Sequence, residues 1–352
     1  MSKEKVLVAM SGGVDSSVAV ALLLEDGFDP IGVTMRLWNN PDGTQKNQGC
    51  CSLDDANDAK RVADQLGIPH YSLNMKEEFK ANVVDYFVKE YLSGRTPNPC
   101  IACNRVLKFG LLLKKAFQLG ATKLATGHYA RISETPDGPL IRRGIDTTKD
   151  QSYFLFDVPQ KTIASVLFPV GGLTKTEVRE KAEKLGLKTA EKPESQEICF
   201  VPDDDYESFI RSLAPEVSEG DFLDASGERL GKHKGIPFYT VGQRRRLGVS
   251  LGERMYVTQI RPESNSVVLG SEQELWADSM TVENVFFNGG FENAERALVQ
   301  VRYRSAPINA RIRATGEKRA EIKFEKPVRA AAPGQAAVFY SDDLVIGGGW
   351  IK

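Results

Sequence analysis

The run Ser11-Gly12-Gly13-Val14-Asp15-Ser16-Ser17 directly follows the apolar residues 6–10 and opens into a second apolar stretch, residues 17–24. Glycines at a strand-to-helix turn let backbone amides approach an anion closely, and a helix N-terminus adds partial positive charge. The hydroxyls of Ser11, Ser16 and Ser17 can donate to phosphate oxygens. Asp15 repels phosphate but suits a position near Mg²⁺. The spacing is neither the Gly-x-x-x-x-Gly-Lys-Ser/Thr loop of nucleoside triphosphatases nor the Gly-x-Gly-x-x-Gly of dinucleotide folds. The plainer alternative is a glycine turn whose serines only cap the helix.

Thiols supply the second chemistry. In Asn98-Pro99-Cys100-Ile101-Ala102-Cys103-Asn104-Arg105 the prolines hold Cys100 and Cys103 at the start of a helix. A thiol there, beside Arg105 and Lys108, is expected to ionise easily. Cys199, in Ser195-Gln196-Glu197-Ile198-Cys199-Phe200, stands alone in a short extended stretch, as a movable or resolving thiol would. Four other uses stay open. They are half of a zinc site, although Cys50-Cys51 is an awkward second pair, a thioredoxin-like dithiol, inert buried cysteine, and an iron–sulfur cluster on Cys100, Cys103 and Cys199.

The elements that position these residues alternate. Strands are expected at 6–10, 31–35, 69–73 and 123–126, and helices at 17–24, 54–66, 77–92, 107–118 and 174–185. Such alternation predicts an α/β domain with a parallel sheet, whose ligands bind at the carboxyl ends of the strands. Met35 closes one strand and Gly127 follows another, so both belong to that edge. Beyond residue 202 the texture changes. From 277 onward short β-prone segments (297–303, 310–314, 319–324, 336–340) are separated by Gly, Pro and Asp turns. We therefore expect an α/β domain over 1–205, a small central domain over 206–275 and a β-barrel over 276–352.

The 352 residues are 41% hydrophobic and 26% charged, with net charge -1. That is globular composition, and the total charge argues neither for nor against nucleic acid. Basic clusters are local: Arg142-Arg143, Lys232-His233-Lys234, Arg244–Arg246, and Arg302, Arg304, Arg311 and Arg313 on alternating positions of β segments, fit to track a phosphate backbone. A solvated charged face is the plainer reading. Five cysteines with no export leader fit reduced thiols. No apolar run approaches the roughly 18 residues of a membrane span, so a cytoplasmic, membrane-free protein is expected; a monomer is expected too, on no residue in particular.

The loop resembles that of the pyrophosphatase-type ATP-binding superfamily, which cleaves ATP to AMP and pyrophosphate while adenylating a substrate. The whole chain resembles the bacterial tRNA-specific 2-thiouridylase family. The matching segments are 10–17, Asn-Pro-Cys-x-x-Cys-Asn (98–104), Thr-Gly-His-Tyr-Ala (126–130), Lys-Asp-Gln-Ser-Tyr-Phe-Leu (149–155), Ser-Gln-Glu-Ile-Cys-Phe (195–200), Gly-Gln-Arg-Arg (242–245) and Arg-Tyr-Arg (302–304).

The resemblance implies an adenine-nucleotide α-hydrolase-like domain followed by the two smaller ones. It further implies ATP on Ala9, Met10, Ser11, Gly12, Gly13, Val14, Asp15 and Ser16, with Met35 and Gly127 lining the nucleotide. The target uracil would meet Asn98, Pro99 and Cys100, where some relatives carry Asp in place of Cys100. Cys103 would be the nucleophile and Cys199 the persulfide carrier, closing a transient disulfide. tRNA would be held by His128, Lys149, Asp150, Gln151, Arg302, Tyr303, Arg304 and Gln335. The implied partners are the tRNAs for Glu, Gln and Lys, a persulfide donor (a cysteine desulfurase or sulfur-relay protein) and a reductant. Two rivals remain: a small-molecule adenylating synthetase, and a tRNA-binding sulfur-relay protein that makes no use of ATP.

Overall fold

A computed structural model describes residues 3–38, 53–193, 198–201, 205–249, 254–291 and 294–352. Cys50, Cys51 and Ser195-Gln196-Glu197 lie outside the described residues. The chain groups into two compact units: residues 1–83, 100–204 and 343–345, and residues 84–99, 205–342 and 346–352.

The first unit is built on a five-stranded parallel sheet. Its strands are β1 (Lys5–Ala9), β2 (Asp29–Arg36), β3 (His70–Asn74), β4 (Lys123–Thr126) and, beyond a hairpin, β7 (Val166–Leu167). The hairpin is β5 (Ala130–Ser133) and β6 (Leu140–Arg143), and Leu344 lies beside Arg142 at its edge. The order β3-β2-β1-β4-β7 runs outward in one direction from β1 and in the other from β4. The gap between β1 and β4 is therefore the topological switch point, where the connections leave a crevice at the carboxyl edge.

Val6, Leu7 and Val8 are fully buried, as a central parallel strand covered on both faces requires. Helix α1 (Val14–Glu25) is nearly as apolar, with Val18, Ala19 and Val20 fully buried. It packs in one core with Ala59, Val62 and Ala63 of helix α2 (Leu53–Leu66) and with Val178 and Ala182 of the helix Lys175–Lys184. That last helix begins with a capping box, Thr174 and Glu177 each satisfying the other's backbone N–H.

The cysteine helix starts earlier than residue 107. One helical run covers Pro99–Ala102, passes through a ten-residue π stretch, Cys103–Leu112, and ends as Leu113–Gln118. Proline at the first helical position explains the early start, since its missing N–H would be unpaired there anyway.

The second unit holds two β structures. A four-stranded sheet is formed by β8 (Gly220–Leu223), β9 (Arg229–His233), β10 (Tyr256–Arg261) and β11 (Ser266–Gly270), in the order β10-β11-β8-β9. It folds around Phe222, Val257, Val267 and Leu269, all fully buried. The second is made of β12 (Trp276–Phe287), β13 (Arg296–Gln300), β14 (Ile308–Gly316), β15 (Arg319–Arg329), β16 (Ala336–Ser341) and β17 (Leu344–Ile351). These run β12-β15-β14-β13-β16-β17, and β17 returns to β12, closing a barrel without open edges. No helix among the described residues is long and apolar enough to cross a membrane.

Close backbone packing at the turn Pro169–Gly172 makes the first unit sensitive to one methyl group. A Cβ at Gly171 would overlap the Ala130 carbonyl, whereas one at Gly172 meets nothing within 4 Å. Gly171→Ala is expected to destabilise the unit by about 3 kcal/mol, and Gly172→Ala by less than about 0.5 kcal/mol. Urea midpoints of the two variants check this; equal midpoints would refute it.

Candidate active site

The anion loop forms at the switch point. Met10 is fixed from both sides: its N–H donates to the Val33 carbonyl at 2.8 Å, and its carbonyl accepts from the Thr34 hydroxyl at 2.9 Å. The chain then turns at Gly12, whose φ of +73° disfavours side chains. A Cβ at Gly12 would also overlap the Asp55 carbonyl, so the start of α2 closes directly over the loop. Gly13 is the N-cap of α1 in extended conformation.

The Ser16 and Ser17 hydroxyls donate to the Gly13 carbonyl at 3.1 and 2.9 Å, and the Ser11 N–H donates to Ser16 Oγ at 3.2 Å. The serines thus brace the loop internally. The first N–H groups of α1 have no intrahelical acceptor and point to where an anion would lie. Met35, 9% exposed, lies near the end of β2, and Gly127, after β4, backs closely onto the Ser16 N–H. The carboxyl edges of β1, β2 and β4 thus bring together the residues expected around the nucleotide.

Asp15 is engaged by protein groups. Its Oδ1 accepts from Lys175 Nζ at 2.7 Å and from the Tyr129 hydroxyl at 2.7 Å, and its Oδ2 accepts from the same ammonium at 2.9 Å. Lys175 stands at the first position of its helix, the end that disfavours a cation. That misplaced charge is the sequence signal that could have revealed it, and neither it nor Tyr129 is foreseen above. Among the described residues no group of three or more His, Cys, Asp or Glu could hold a metal. The residues at the loop therefore fit Mg²⁺ only as a companion of bound ATP. The iron–sulfur alternative likewise finds no ligand group among the described residues.

The thiols sit in the same unit. Cys100 is exposed in the first helical turn, and Cys103, half-buried, opens the π stretch. π segments inside α-helices concentrate at functional sites. Next to Cys103, Asn104 is buried and donates to the Phe154 carbonyl at 3.0 Å, while its buried Oδ1 has no hydrogen-bond partner among the described residues. Arg105 pairs with Asp157 at 3.3 Å, and burial, only partly offset by Arg105, raises the Asp157 carboxyl above its ordinary range. Cys199 lies in a turn closed by the Val201 N–H on the Ile198 carbonyl, not in an extended stretch. Phe200 explains the turn: it is buried, edge-on to Phe79 at 5.4 Å.

The residues expected to hold RNA are distributed unevenly. His128 is buried between the Thr126 hydroxyl, 2.7 Å from Nδ1, and Lys108 Nζ, 3.4 Å from Nε2. Burial first, and then the Lys108 charge, hold its pKa well below 6.5. Asp150 is buried, accepting from the Gly144 and Ser152 N–H groups, the Ser152 hydroxyl and Arg143. Gln151 accepts from the Tyr129 N–H at 3.0 Å, and Lys149 beside it is partly exposed.

In the second unit, Arg302 donates to the Val241 and Ala330 carbonyls, and Gln335 donates to the Thr96 and Pro97 carbonyls at 2.9 and 3.3 Å. Gln335 thereby holds the backbone just before Asn98 and Pro99, of which Pro99 is buried and Asn98 half-buried. Arg302, Tyr303 and exposed Arg304 follow the end of β13 in a turn, not on a strand. Gln300 organises that turn by donating to the Arg302 and Tyr303 carbonyls. Arg311 and Arg313 do alternate along β14, with Arg313 paired to Glu321. The cluster 232–234 is broken by His233, which is 2% exposed.

A parallel sheet carrying this loop at its switch point defines a pyrophosphate-loop nucleotide-binding protein. Residues 4–203 match the family model described as tRNA methyl transferase HUP domain, 207–271 that of the tRNA methyl transferase PRC-barrel domain, and 277–351 that of the aminomethyltransferase beta-barrel domain. Full-length relatives are more specific. The chain is 49% identical to the tRNA-specific 2-thiouridylase MnmA of Carboxydothermus hydrogenoformans, covering 100% of this chain and 98% of the relative. It is also 49% identical to the proteins of that name from Lachnoclostridium phytofermentans, over 99% of each chain, and Pelotomaculum thermopropionicum, over 100% of this chain and 98% of the relative. The chain belongs to the tRNA-specific 2-thiouridylase family.

The buried His128 gives this site a pH signature. Its native pKa is depressed, so below about pH 6.5 the unfolded state takes up a proton that the native state refuses. Stability contributed by the neutral ring is complete above that pH and is lost as pH falls towards the native pKa. We expect the His128 ring resonances to stay constant from pH 7.5 to 6 by NMR; a normal titration curve there would refute the buried neutral ring.

Proposed function

We propose that the protein catalyses ATP-dependent 2-thiolation of the wobble uridine in the tRNAs for Glu, Gln and Lys, releasing AMP and pyrophosphate. One observation carries this reading: an anion loop at the switch point and two half-buried thiols, Cys103 and Cys199, occur in one compact unit of a chain similar throughout its length to 2-thiouridylases. ATP lies with its phosphates on residues 9–16 and its nucleoside towards Met35 and Gly127. Mg²⁺ enters with ATP and offsets its charge.

The target uracil, cheaply unstacked from an anticodon loop, is received by Asn98, Pro99 and Cys100. Uracil O2 attacks the α-phosphorus and pyrophosphate leaves, while loop amides stabilise the charge on the phosphates. C2 now carries AMP as its leaving group. The terminal sulfur of a Cys199 persulfide attacks C2 and AMP departs. The Cys103 thiolate attacks the Cys199 sulfur, breaking the S–S bond, so that sulfur stays on C2 and a Cys103–Cys199 disulfide forms. An external thiol reductant returns both to thiols. A cysteine desulfurase or relay protein supplies the persulfide.

RNA contacts fall to partly exposed Lys149, Gln151 and Tyr303 and to exposed Arg304. His128, Asp150, Arg302 and Gln335 act chiefly by holding neighbouring protein groups near those contacts, with any further RNA bond made at their remaining acceptor or donor atoms. The segments 1–205, 206–275 and 276–352 serve as catalytic, connecting and RNA-holding parts of a monomeric, cytoplasmic enzyme.

The descriptions of the matching models speak of methyl transfer. Methyl transfer joins an activated methyl donor to a nucleophile and has no step for an adenylating loop or a thiol pair, which favours thiolation. The test is mass spectrometry of nucleosides from unmodified tRNA-Glu incubated with protein, ATP, Mg²⁺ and a persulfide source. Wild type is expected to form 2-thiouridine, and Cys103→Ala and Cys199→Ala to lose at least about 10²-fold in rate. Methyluridine, or thiouridine undiminished in both variants, would overturn the reading.

A further inference from the structure

We infer that Lys192 is a positioning residue that couples occupancy of the anion loop to the segment carrying Cys199. The inference rests on the ATP and Cys199 assignments above. Lys192 Nζ lies 3.1 Å from the Gly12 carbonyl oxygen, 2.7 Å from Asp55 Oδ1 and 2.7 Å from Asp58 Oδ2. An ammonium has three protons, and here each has one acceptor. Burial works against the charged ammonium, but the hydrogen bonds and charges of Asp55 and Asp58 outweigh it and raise its pKa above the ordinary lysine value. The cation therefore persists throughout the physiological range.

The Gly12 carbonyl matters because of what shares its peptide plane. In a trans peptide the C=O of one residue and the N–H of the next point in opposite directions. Holding the Gly12 carbonyl on Lys192 turns the Gly13 N–H the other way, and Gly13 is the N-cap of α1, where anion-binding donors gather. A phosphate oxygen accepting from that N–H polarises the peptide and strengthens the bond from Lys192 on its far side. Lys192 thus supports the loop from behind, without touching the nucleotide.

The same residue stands seven positions before Cys199. Its backbone is tied down: Arg179 donates to the Ala190 carbonyl at 2.6 Å and to the Lys192 carbonyl at 3.4 Å, and the Lys192 N–H donates to Thr189 at 3.2 Å. Beyond Cys199, Phe200 is anchored against Phe79. Described residues on either side of the thiol are thus held, Lys192 on the Gly12 carbonyl and Phe200 on Phe79. Loop occupancy and the surroundings of Cys199 are linked through this bond, and such linkage is reciprocal.

The experiment measures alkylation of Cys199 by iodoacetamide in the full-length, tRNA-free protein, with and without saturating Mg²⁺-ATP, resolved from Cys103 by peptide mass spectrometry. ATP binding is determined on the same samples by calorimetry. Wild type is expected to show about fivefold slower Cys199 alkylation with ATP. Lys192→Gln is expected to lose that effect with an unchanged melting temperature, and Lys192→Arg to recover most of it. If Lys192→Gln no longer binds ATP, Asp58→Asn replaces it and should weaken the effect. Failure of wild type to bind ATP would sink the ATP assignment itself. ATP binding without any change at Cys199, or the same change in wild type and the variants, would overturn the coupling alone.

Discussion

Acidic side chains crowd the place where a polyphosphate must lie, and the first unit is arranged to neutralise them. Asp15 belongs to the anion loop, while Asp55 and Asp58 come from the start of α2, whose backbone closes over Gly12. Left alone, these carboxylates would repel the ligand that the α1 N-terminus attracts. Lys175 takes both oxygens of Asp15, and Lys192 bridges Asp55 and Asp58. Both lysines come from the far part of the same unit, 160 and 137 residues away in sequence from Asp15 and Asp55. The loop therefore reaches its working electrostatics only when the helix Lys175–Lys184 and the chain after it have docked. Folding of that region and competence of the loop are one event.

The same arithmetic explains why Asp15 has a structural part. A carboxylate held by an ammonium and a tyrosine hydroxyl fixes the direction of the first turn of α1. The bond aligns the N–H groups that face an anion, and Tyr129 joins it to the strand end beyond β4. Loop, β4 edge and the helix Lys175–Lys184 meet at one carboxylate. Preorganised donors of this kind need little rearrangement when charge develops on them.

Local signals made much of this legible in the sequence. The buried strand, glycine turn and apolar helix of residues 5–25 announce themselves by composition, and Met35 and Gly127 fall at strand ends because strand periodicity placed them there. Closure of the barrel follows from short β-prone segments with turns between them. Long-range pairings were not legible. Nothing near Lys175 or Lys192 names its partner, and only the unfavourable position of Lys175 at a helix start hints that it serves another group. Asp150, Arg302 and Gln335 read as exposed polar residues in a motif, yet their side chains are spent within the protein, on backbone groups and, for Asp150, also on Ser152 and Arg143. Polar residues that organise loops and those that touch a ligand have the same composition. Burial and bond partners separate them, and these arise only in the folded chain.

The two thiols differ in how they are held, and the difference suits a relay. Cys103 is part of a continuous helix packed through Leu107, Phe109 and Leu112, all buried, so its position is set by a rigid element. Cys199 sits in a short turn closed by the Val201 N–H on the Ile198 carbonyl, beside the buried ring of Phe200. A group that must accept sulfur from outside, deliver it and then meet a second thiol gains from a place in a turn outside a helix, because each state needs a different approach. A nucleophile that must meet one sulfur in one orientation gains from a rigid helix. A stiffly held thiol and one carried in a turn thus lie within a single compact unit.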